Sequence, residues 1–386
     1  MEALRFNGTG SEYFKIWIVN ILLTIITLGI YYPWAKVRNR RYFYANSSLG
    51  GRAFEYHATG KQLFVGFLIG ILFFALYTLL GQVNPRIAGV VLIIFMLALP
   101  WLIWRSLMFN MRVTSFSNVH FSFKGKLGKV YIIFLLYPLL FITIIALFGV
   151  IASIVIPIIK DINPAILAMV GSIVGFSGIF VYLFFFAFIK KSSTEYVINN
   201  SYYGQGTFQS ELESKRFFII FLKTIGISFI PMILLVMSAN FFTKMNPEIL
   251  SYTGGTNGFV GGAEFFFIVA YFVLLFVVML IMSYMITRER SYIYDNIVLD
   301  DTITFESTLR ARDLAWVMAS NIFLIFLTLG LAFPWAKVRV TRLMLENTLV
   351  DTEFGFDNYI TQQERAVSAL GDQIGDAFDV DVGVAF

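Results

Sequence analysis

The chain has 386 residues, of which 58% are hydrophobic and 14% are charged, and its formal net charge is +5. Because a soluble domain carries about 25% charged residues, this composition excludes an ordinary soluble protein and favours a membrane protein. The absence of cysteine excludes disulfides, thiolate metal sites and cysteine nucleophiles. The basic residues lie beside apolar segments, as the positive-inside rule explains, and no basic run carries a readout motif, so we expect no nucleic-acid partner.

The first apolar segment, near residues 14–33, has a close copy near residues 314–335. Each copy carries an Asn, then Thr-Leu-Gly, then an aromatic residue followed by Pro-Trp-Ala-Lys-Val-Arg, so segments 14–41 and 314–342 form a related pair. The two Asn side chains predict either hydrogen bonds between helices or a polar path, and the basic residues predict either an orientation signal or recruitment of an anionic lipid headgroup or solute. The candidate functional residues are therefore the matching positions Asn20, Gly29, Pro33, Lys36, Arg38, Asn321, Gly330, Pro334, Lys337 and Arg339.

Six longer apolar segments lie between these two copies. They pair into three predicted transmembrane hairpins at about 62–106, 130–189 and 217–286, because each segment is long enough to cross a bilayer. An Asn-Pro dipeptide separates the members of each pair. Asn accepts hydrogen bonds from free amides at a helix start, and Pro suits the first helical position, so each dipeptide predicts a turn that opens the second helix. These turns are Asn84-Pro85, Asn163-Pro164 and Asn246-Pro247.

Short runs of alternating residues, each centred on Phe, separate the hairpins. Alternation with a period of two is the pattern of a β-strand, and its recurrence at matching places argues against coincidence. We therefore predict short strands near the membrane surface at 52–56, 119–123, 206–210 and 303–307, with terminal versions at 4–6 and 353–356.

The distribution of Lys and Arg along the chain predicts which segments face the cytoplasm. Lys and Arg number six in 34–61, five in 105–129 and four in 190–216, against one at each hairpin tip. The positive-inside rule places the strand segments and both termini in the cytoplasm. If both members of the related pair crossed the membrane, Lys36 and its twin Lys337 would lie on opposite sides. We therefore predict two re-entrant or broken helices; the alternative is that one or both cross fully or lie in the interface.

A resemblance to a known family rests on the block Tyr31-Tyr32-Pro33-Trp34-Ala35-Lys36-Val37-Arg38, on 54–60 and on the tail 371–383. Over essentially its whole length the chain resembles the YjgN family of bacterial inner-membrane proteins. The resemblance implies a multi-pass protein of the bacterial inner membrane. Because the family is catalogued as a domain of unknown function, it implies no catalytic residues.

No constellation of residues indicates an enzyme. His57 and His120 are the two histidines of the chain, and without cysteine or a carboxylate at ligand spacing we expect neither a metal site nor another cofactor. No phosphate-binding loop or hydrolase motif appears in a matching context. The acidic tail, 361–386, carries an amphipathic pattern from Gln363 to Phe378. It could dock onto the basic layer of its own protein or onto a partner, or remain disordered.

Together these patterns predict an all-α polytopic membrane protein with short cytoplasmic strands, in which residues 1–360 form one membrane domain built from internal repeats. For its function they predict a small-solute or lipid transporter or channel. The alternative is a non-transporting membrane scaffold or sensor that binds a cytoplasmic partner through its strand layer and tail. A polar cavity between the related segments would favour transport, and a dry interior would favour the scaffold. The oligomeric state is not indicated.

Overall fold

A computed structural model describes residues 1–160, 164–245, 261–352 and 358–366. The helices are α1 (Gly10–Ile26), α2 (Tyr32–Ala45), α3 (Gly60–Val83), α4 (Pro85–Arg112), α5 (Leu127–Tyr131), α6 (Tyr137–Lys160), α7 (Pro164–Ile198), α8 (Ser214–Met245), α9 (Gly261–Tyr294), α10 (Ala311–Leu327) and α11 (Phe333–Glu346), followed by α12 (358–366). A π-helical segment, Ile132–Leu136, joins α5 to α6. The strands are β1 (Glu2–Ala3), β2 (Arg5–Phe6), β3 (Ser47–Leu49), β4 (Arg52–Tyr56), β5 (Thr114–Phe116), β6 (Val119–Phe123), β7 (Ser201–Tyr203), β8 (Gly206–Ser210), β9 (Ile297–Leu299), β10 (Ile303–Ser307) and β11 (Thr348–Thr352).

Six described helical stretches are long and apolar enough to cross a membrane, so the chain is a polytopic membrane protein. At the first predicted tip, Asn84 caps α4 and its side chain accepts a hydrogen bond from the Arg86 amide at 2.9 Å. That turn prediction is confirmed, whereas Asn163 and Asn246 lie outside the described residues. The six stretches are Gly60–Val83, Pro85–Arg112, Leu127–Ile158, Ala165–Ile198, Ser214–Ser238 and Val269–Tyr294.

The all-α class is too narrow, because the strands join in one antiparallel sheet of 11 strands. The four predicted Phe-centred strands are β4, β6, β8 and β10, with the predicted bounds. Each follows a three-residue strand after a tight turn, and these turns contain residues with positive φ, such as Asn118 at 62° and Asp300 at 49°, which tight hairpins require. The strands β3, β5, β7 and β9 were not predicted, because three residues are too few to show an alternating pattern. The predicted strand at 353–356 lies outside the described residues.

The N-terminal segment closes this sheet into a barrel. Strand order runs from β1 through β11 and then down to β2, so both sheet edges belong to residues 2–6. In β1, Glu2 pairs with Val350 of β11, and in β2, Arg5 pairs with Ser48 of β3. One segment thus pairs with the last and the first hairpin strands, and closure removes the free sheet edges that would otherwise template aggregation.

The barrel interior is a packed hydrophobic core. Inward residues of the first strand of each pair are buried, and the Phe of each second strand packs against them, as alternation across a strand requires. Leu4, between β1 and β2, packs against the core at the place of the Phe. The core comprises Leu49, Phe116, Val119, Tyr203, Leu299, Ile303, Val350 and Ile360, flanked by Leu4, Phe54, Phe121, Phe208, Phe305 and Tyr359.

Helix α12 covers the end of the barrel at which the strand turns lie. Ile360 has 0% of its surface exposed within the core. The Tyr359 hydroxyl donates to Asp300 Oδ2 at 2.6 Å, and the Gln205 amide donates to Gln363 Oε1 at 2.9 Å. Burial and the bond to Asp300 raise the pKa of Tyr359, so the hydroxyl stays protonated and keeps donating. Most of the predicted amphipathic tail, 367–386, lies outside the described residues.

The helices form a single ring in chain order. Helix α1 packs on α2, α2 on α3 and α3 on α4; the order continues through α5–α6, α7, α8, α9 and α10 to α11, which packs back onto α1. Within the described residues, extensive helix packing is confined to neighbours in this order. Each strand pair connects one helix pair to the next, so ring and barrel follow the same circular order. The barrel therefore holds together a ring whose helices make few other contacts.

Candidate functional site

The related segments fold into two short helical hairpins, α1–α2 and α10–α11, each with 17 residues in the first helix and 14 in the second. Their turns match closely: φ is 50° at both Leu28 and Leu329, 92° at Gly29 and 94° at Gly330. Glycine adopts this left-handed region freely, whereas leucine pays about 1–2 kcal/mol. Pro33 and Pro334 occupy the first turn of the returning helix. The two related segments thus have matching helix lengths and matching turn geometry.

The two predicted Asn residues tie the helices of each hairpin together. Asn20 Nδ2 donates to the Ala35 carbonyl at 3.5 Å, and Asn321 Nδ2 donates to the Ala336 carbonyl at 3.1 Å. Both side chains are buried. This geometry supports the interhelical hydrogen bond, one of the two roles that the sequence left open.

Each short hairpin begins and ends at the barrel. Strands β2 and β3 flank α1–α2, and β10 and β11 flank α10–α11, and all four strands belong to one sheet. The chain therefore leaves the sheet and returns to it, as it also does at α3–α4 between β4 and β5.

The two hairpins differ at the Asn carbonyl oxygen. Asn321 Oδ1 accepts from Arg339 Nη1 at 2.8 Å. Asn20 Oδ1 is buried without a partner in the described part of the chain, while its Nδ2 also donates to Asn39 Oδ1 at 3.0 Å. Arg38, the counterpart of Arg339, is exposed. A buried acceptor without a donor costs about 1–3 kcal/mol. The α1–α2 hairpin therefore carries an energetic cost at its Asn side chain that the α10–α11 hairpin avoids.

A cavity of about 530 Å³, called the basic cavity below, lies between α1, α2 and the side chain of Lys337 from α11. Its polar wall consists of Asn20, Thr24, Lys36, Asn39, Arg40 and Lys337, and its apolar wall consists of Trp17, Ile21, Ile25, Tyr32, Ala35, Phe43 and Tyr44. None of these described lining residues is acidic. The cavity therefore carries three cations and no carboxylate.

Neutral groups hold two of these cations in place. Lys337 Nζ lies 3.3 Å from the Tyr13 hydroxyl and 4.7 Å from the Phe43 ring centroid. Arg40 Nη1 donates to the Tyr56 hydroxyl at 2.8 Å and to Asn110 Oδ1 at 2.6 Å. Burial lowers the pKa of Lys337, because the charged form loses hydration. Converging cations without a carboxylate are suited to an anion.

A second cavity, of about 460 Å³, lies inside the ring where the helices meet the barrel. Its wall contains the four core Phe residues of the strands and residues from the last turns of α2, α4, α7 and α9. Tyr44 lines both cavities. The basic cavity thus adjoins the inside of the ring.

The structure brings together only part of the predicted residue set. Asn20, Lys36 and Lys337 line the basic cavity. Asn321 and Arg339 instead bond to each other, and Arg38 is exposed and does not line the cavity. The four predicted Gly and Pro residues shape the turns and do not line the basic cavity. The contribution of Lys337 to a cavity between the helices of the other hairpin follows from the packing of α11 on α1.

Sequence reasoning missed Asn39 and Arg40 as cavity residues. They follow Lys36 by three and four positions on one helix, and this spacing places side chains on the same face. That signal was present in the sequence. The sequence could not show that the face is turned toward a cavity.

The two histidines meet on the barrel, with ring centroids 5.1 Å apart. His57 Nε2 lies 2.6 Å from Ser115 Oγ and 3.4 Å from Glu55 Oε2. Among the described residues, no group of three His, Asp or Glu side chains could hold a metal ion. The two histidines lie side by side in a hydrogen-bonded cluster on the barrel.

Comparison with known proteins places this architecture in a family. A family model described as a bacterial protein of unknown function matches residues 1–377. The inner membrane protein YjgN of Salmonella typhimurium is 29% identical over 90% of this chain and 88% of its own length. The chain belongs to the YjgN family. The YjgN protein of Escherichia coli K12 is 26% identical over the same shares of the two chains, and no solved structure matches.

Membership of the YjgN family confirms the resemblance inferred from the Pro-Trp-Ala-Lys-Val-Arg block. Because YjgN relatives are named inner membrane proteins and six helices can cross a membrane, this chain is a multi-pass inner-membrane protein. The family description assigns no function, so any role must be argued from the geometry.

Proposed function

We propose that this protein moves an amphiphilic lipid between the two leaflets of the membrane, along the gap beside its two short hairpins. The proposal rests on the unequal lengths of the helices that form the ring. At 1.5 Å per residue, α3 with 24 residues is about 36 Å long, whereas α1 with 17 residues is about 26 Å long. The hydrocarbon core is about 30 Å thick, so α1 stops short of crossing it.

The two short hairpins are neighbours, because α11 packs on α1. The ring is therefore complete near the barrel and open on one side in the far leaflet, where only the long helices continue. Leu28 and Leu329, at the two tips, are each 93% exposed. Fully exposed leucines at matching tips suit a hydrocarbon environment. Lipid can thus reach the inside of the ring through this gap.

The inside of the ring favours a lipid over a small polar solute. In α3, Gly60 is the one buried residue, and residues 62–83 carry no charge. A helix that contacts only its two ring neighbours exposes an inner and an outer face, and in α3 both faces are apolar. A path for a polar solute would need polar side chains at mid-membrane. We infer a lumen that accepts acyl chains, with polar groups confined to the basic cavity.

We place the barrel and α12 in the cytoplasm, because the strand segments carry the excess of Lys and Arg. Alkaline phosphatase fused after Gly81 should then be active, and the same enzyme fused after Tyr359 should be inactive. Activity after Tyr359 would contradict this orientation, and activity after both positions would contradict the re-entrant geometry.

Lipid movement can be measured on the full chain reconstituted in liposomes that contain a lipid with a fluorescent headgroup. A membrane-impermeant reductant bleaches probe only in the outer leaflet, so we expect the protein to make the inner-leaflet probe accessible. Thr24→Trp fills the basic cavity and should slow this exchange about tenfold, which corresponds to about 1.4 kcal/mol in the barrier. The expected cause is steric, because Thr24 lies in the cavity wall.

Leu22→Trp is the matched control, because Leu22 is on the same helix, is 52% exposed and does not line the cavity. It should leave the rate near that of the unaltered protein. Bleaching equal to that of empty liposomes, for every lipid headgroup offered, would refute lipid movement and favour the partner-binding scaffold.

A further inference from the structure

We propose that the basic cavity binds the headgroup phosphate of an anionic phospholipid. The inference rests on the proposed function and names its substrate class. It begins from the charge of the wall: Lys36 and Arg40 belong to one short hairpin, and Lys337 belongs to the other. Three cations that line one cavity without a carboxylate repel one another, and the partial burial of Lys337 adds a desolvation cost. A bound anion relieves both penalties and bridges the two hairpins.

Arg40 is placed to contact a phosphate group. Its two hydrogen bonds, to Tyr56 and Asn110, both use Nη1 and both end on neutral acceptors. Neither partner carries a negative charge that would offset the guanidinium, and its remaining donors can match the oxygens of a phosphate in pairs. Lys337, held by Tyr13 and Phe43, supplies a positive charge from the neighbouring hairpin. Both cations are thus oriented before a ligand arrives.

The rest of the wall indicates an amphiphile. Trp17 and Ile21 line the apolar side, which continues to Ile25 and Tyr32 near the hairpin tip. Ile25 is 66% exposed and Tyr32 is 49% exposed, so this side opens toward the region that the proposed function assigns to lipid. A free phosphate ion would leave the apolar side unused. A phospholipid places its phosphate at the cations and its acyl chains along the apolar wall.

The volume agrees with a headgroup site. The cavity measures about 530 Å³, within the range of about 300–1,000 Å³ typical of small-molecule sites. Lys36, at the exposed side of the cavity, can follow the headgroup as it enters. Anionic lipid near a basic cluster is also favoured by the long reach of Coulomb attraction in a low-dielectric environment.

The test is an equilibrium binding measurement on the full chain in a neutral detergent, with phosphatidylglycerol that carries a fluorescent acyl chain. The variant Lys36→Gln with Lys337→Gln removes two cavity cations. The matched control is Lys15→Gln with Arg38→Gln, which removes two exposed cations outside the cavity. We expect the cavity variant to bind phosphatidylglycerol about tenfold more weakly, as the loss of charged hydrogen bonds implies, and the control to bind within about twofold of the unaltered protein.

Two comparison arms identify the source of the phosphate. Phosphatidylcholine with the same fluorescent chain should bind much more weakly, because its headgroup has no net charge. Free glycerol 3-phosphate should displace the lipid only at far higher concentration, because it lacks acyl chains. Displacement by glycerol 3-phosphate at a concentration similar to that of the lipid would assign the site to a soluble anion and overturn the lipid proposal.

Equal binding of phosphatidylglycerol by the cavity variant and the control would overturn the site itself. Binding at equilibrium requires no movement between leaflets, so its outcome is separate from that of the exchange assay. Tight, cavity-dependent binding without exchange would support this site and refute the transport function. Lipid exchange without cavity-dependent binding would support the transport function and refute this binding site.

Discussion

Replacing Ile360 by Asp should release α12 from the end of the barrel while leaving the barrel folded. Ile360 has 0% exposure and packs among core residues contributed by several strand pairs. Burial of such a side chain contributes about 1.5–3 kcal/mol, and a buried charge without a partner costs several kcal/mol more. Undocking the nine-residue helix places the new carboxylate in water, which avoids the cost of burying its charge. We expect the docking equilibrium to fall by at least about 100-fold.

Hydrogen exchange measures this release directly. The amides of 358–366 should lose protection, and so should the Gln205 amide, which donates to Gln363 in the docked state. Strand amides away from α12, such as those of β3, should keep theirs.

Gln362→Asp is the matched control, because Gln362 is exposed on the same helix and its carboxylate would remain in water. Unchanged protection of α12 in the Ile360→Asp protein would show that Ile360 does not anchor the helix.

Replacing Gly60 by Ala should destabilise the fold by about 1–3 kcal/mol, the usual cost of overpacking. Gly60 is the first residue of α3, and a Cβ built there would lie 2.2 Å from Trp34 Cδ1. The Trp34 ring, which packs on Phe64, would have to shift. Gly10 and Trp335 make the same contact in the other half, so Gly10→Ala should behave alike. Thermal unfolding in detergent measures both effects.

Gly66→Ala is the control on the same helix, since nothing lies within 4 Å of a Cβ added at Gly66. It should be neutral or stabilising by up to about 1 kcal/mol, because alanine favours the helix. A second check is Trp34→Leu, which should reduce the cost of Gly60→Ala when the two changes are combined. Equal stability of the Gly60→Ala and Gly66→Ala proteins would contradict the close contact between Gly60 and Trp34.

These close Gly–Trp contacts also explain the recurring Trp of the duplicated block. Each Trp lies at the start of a returning helix and covers the glycine at which a neighbouring helix begins: Trp34 covers Gly60 of α3, and Trp335 covers Gly10 of α1. The second contact joins residues far apart in sequence and belongs to the packing that closes the helix ring. The Pro-Trp-Ala-Lys-Val-Arg block therefore shapes the turn of its own hairpin and also packs that hairpin against a neighbouring one.

Local patterns determined much of this fold from the sequence alone. Apolar length defined the spans, and alternation defined β4, β6, β8 and β10, because both signals need only neighbouring residues. The matched blocks predicted that α1–α2 and α10–α11 share one turn geometry, since both turns carry the same Thr-Leu-Gly sequence. Charge supplied the parity argument that predicts two re-entrant or broken segments.

The tertiary structure alone decided the closed barrel and the composition of the cavity. Residues 2 and 3 pair with β11 across more than 340 positions, and no local period reports a pairing at that distance. Lys337 reaches the wall of the α1–α2 cavity only because α11 packs on α1, and Ile360 is buried only because a closed barrel offers it a core. The physical reason is the same in each case. The energy of these contacts depends on which two surfaces pack together, and a local sequence pattern shows that a surface is apolar or charged but not which other surface it contacts.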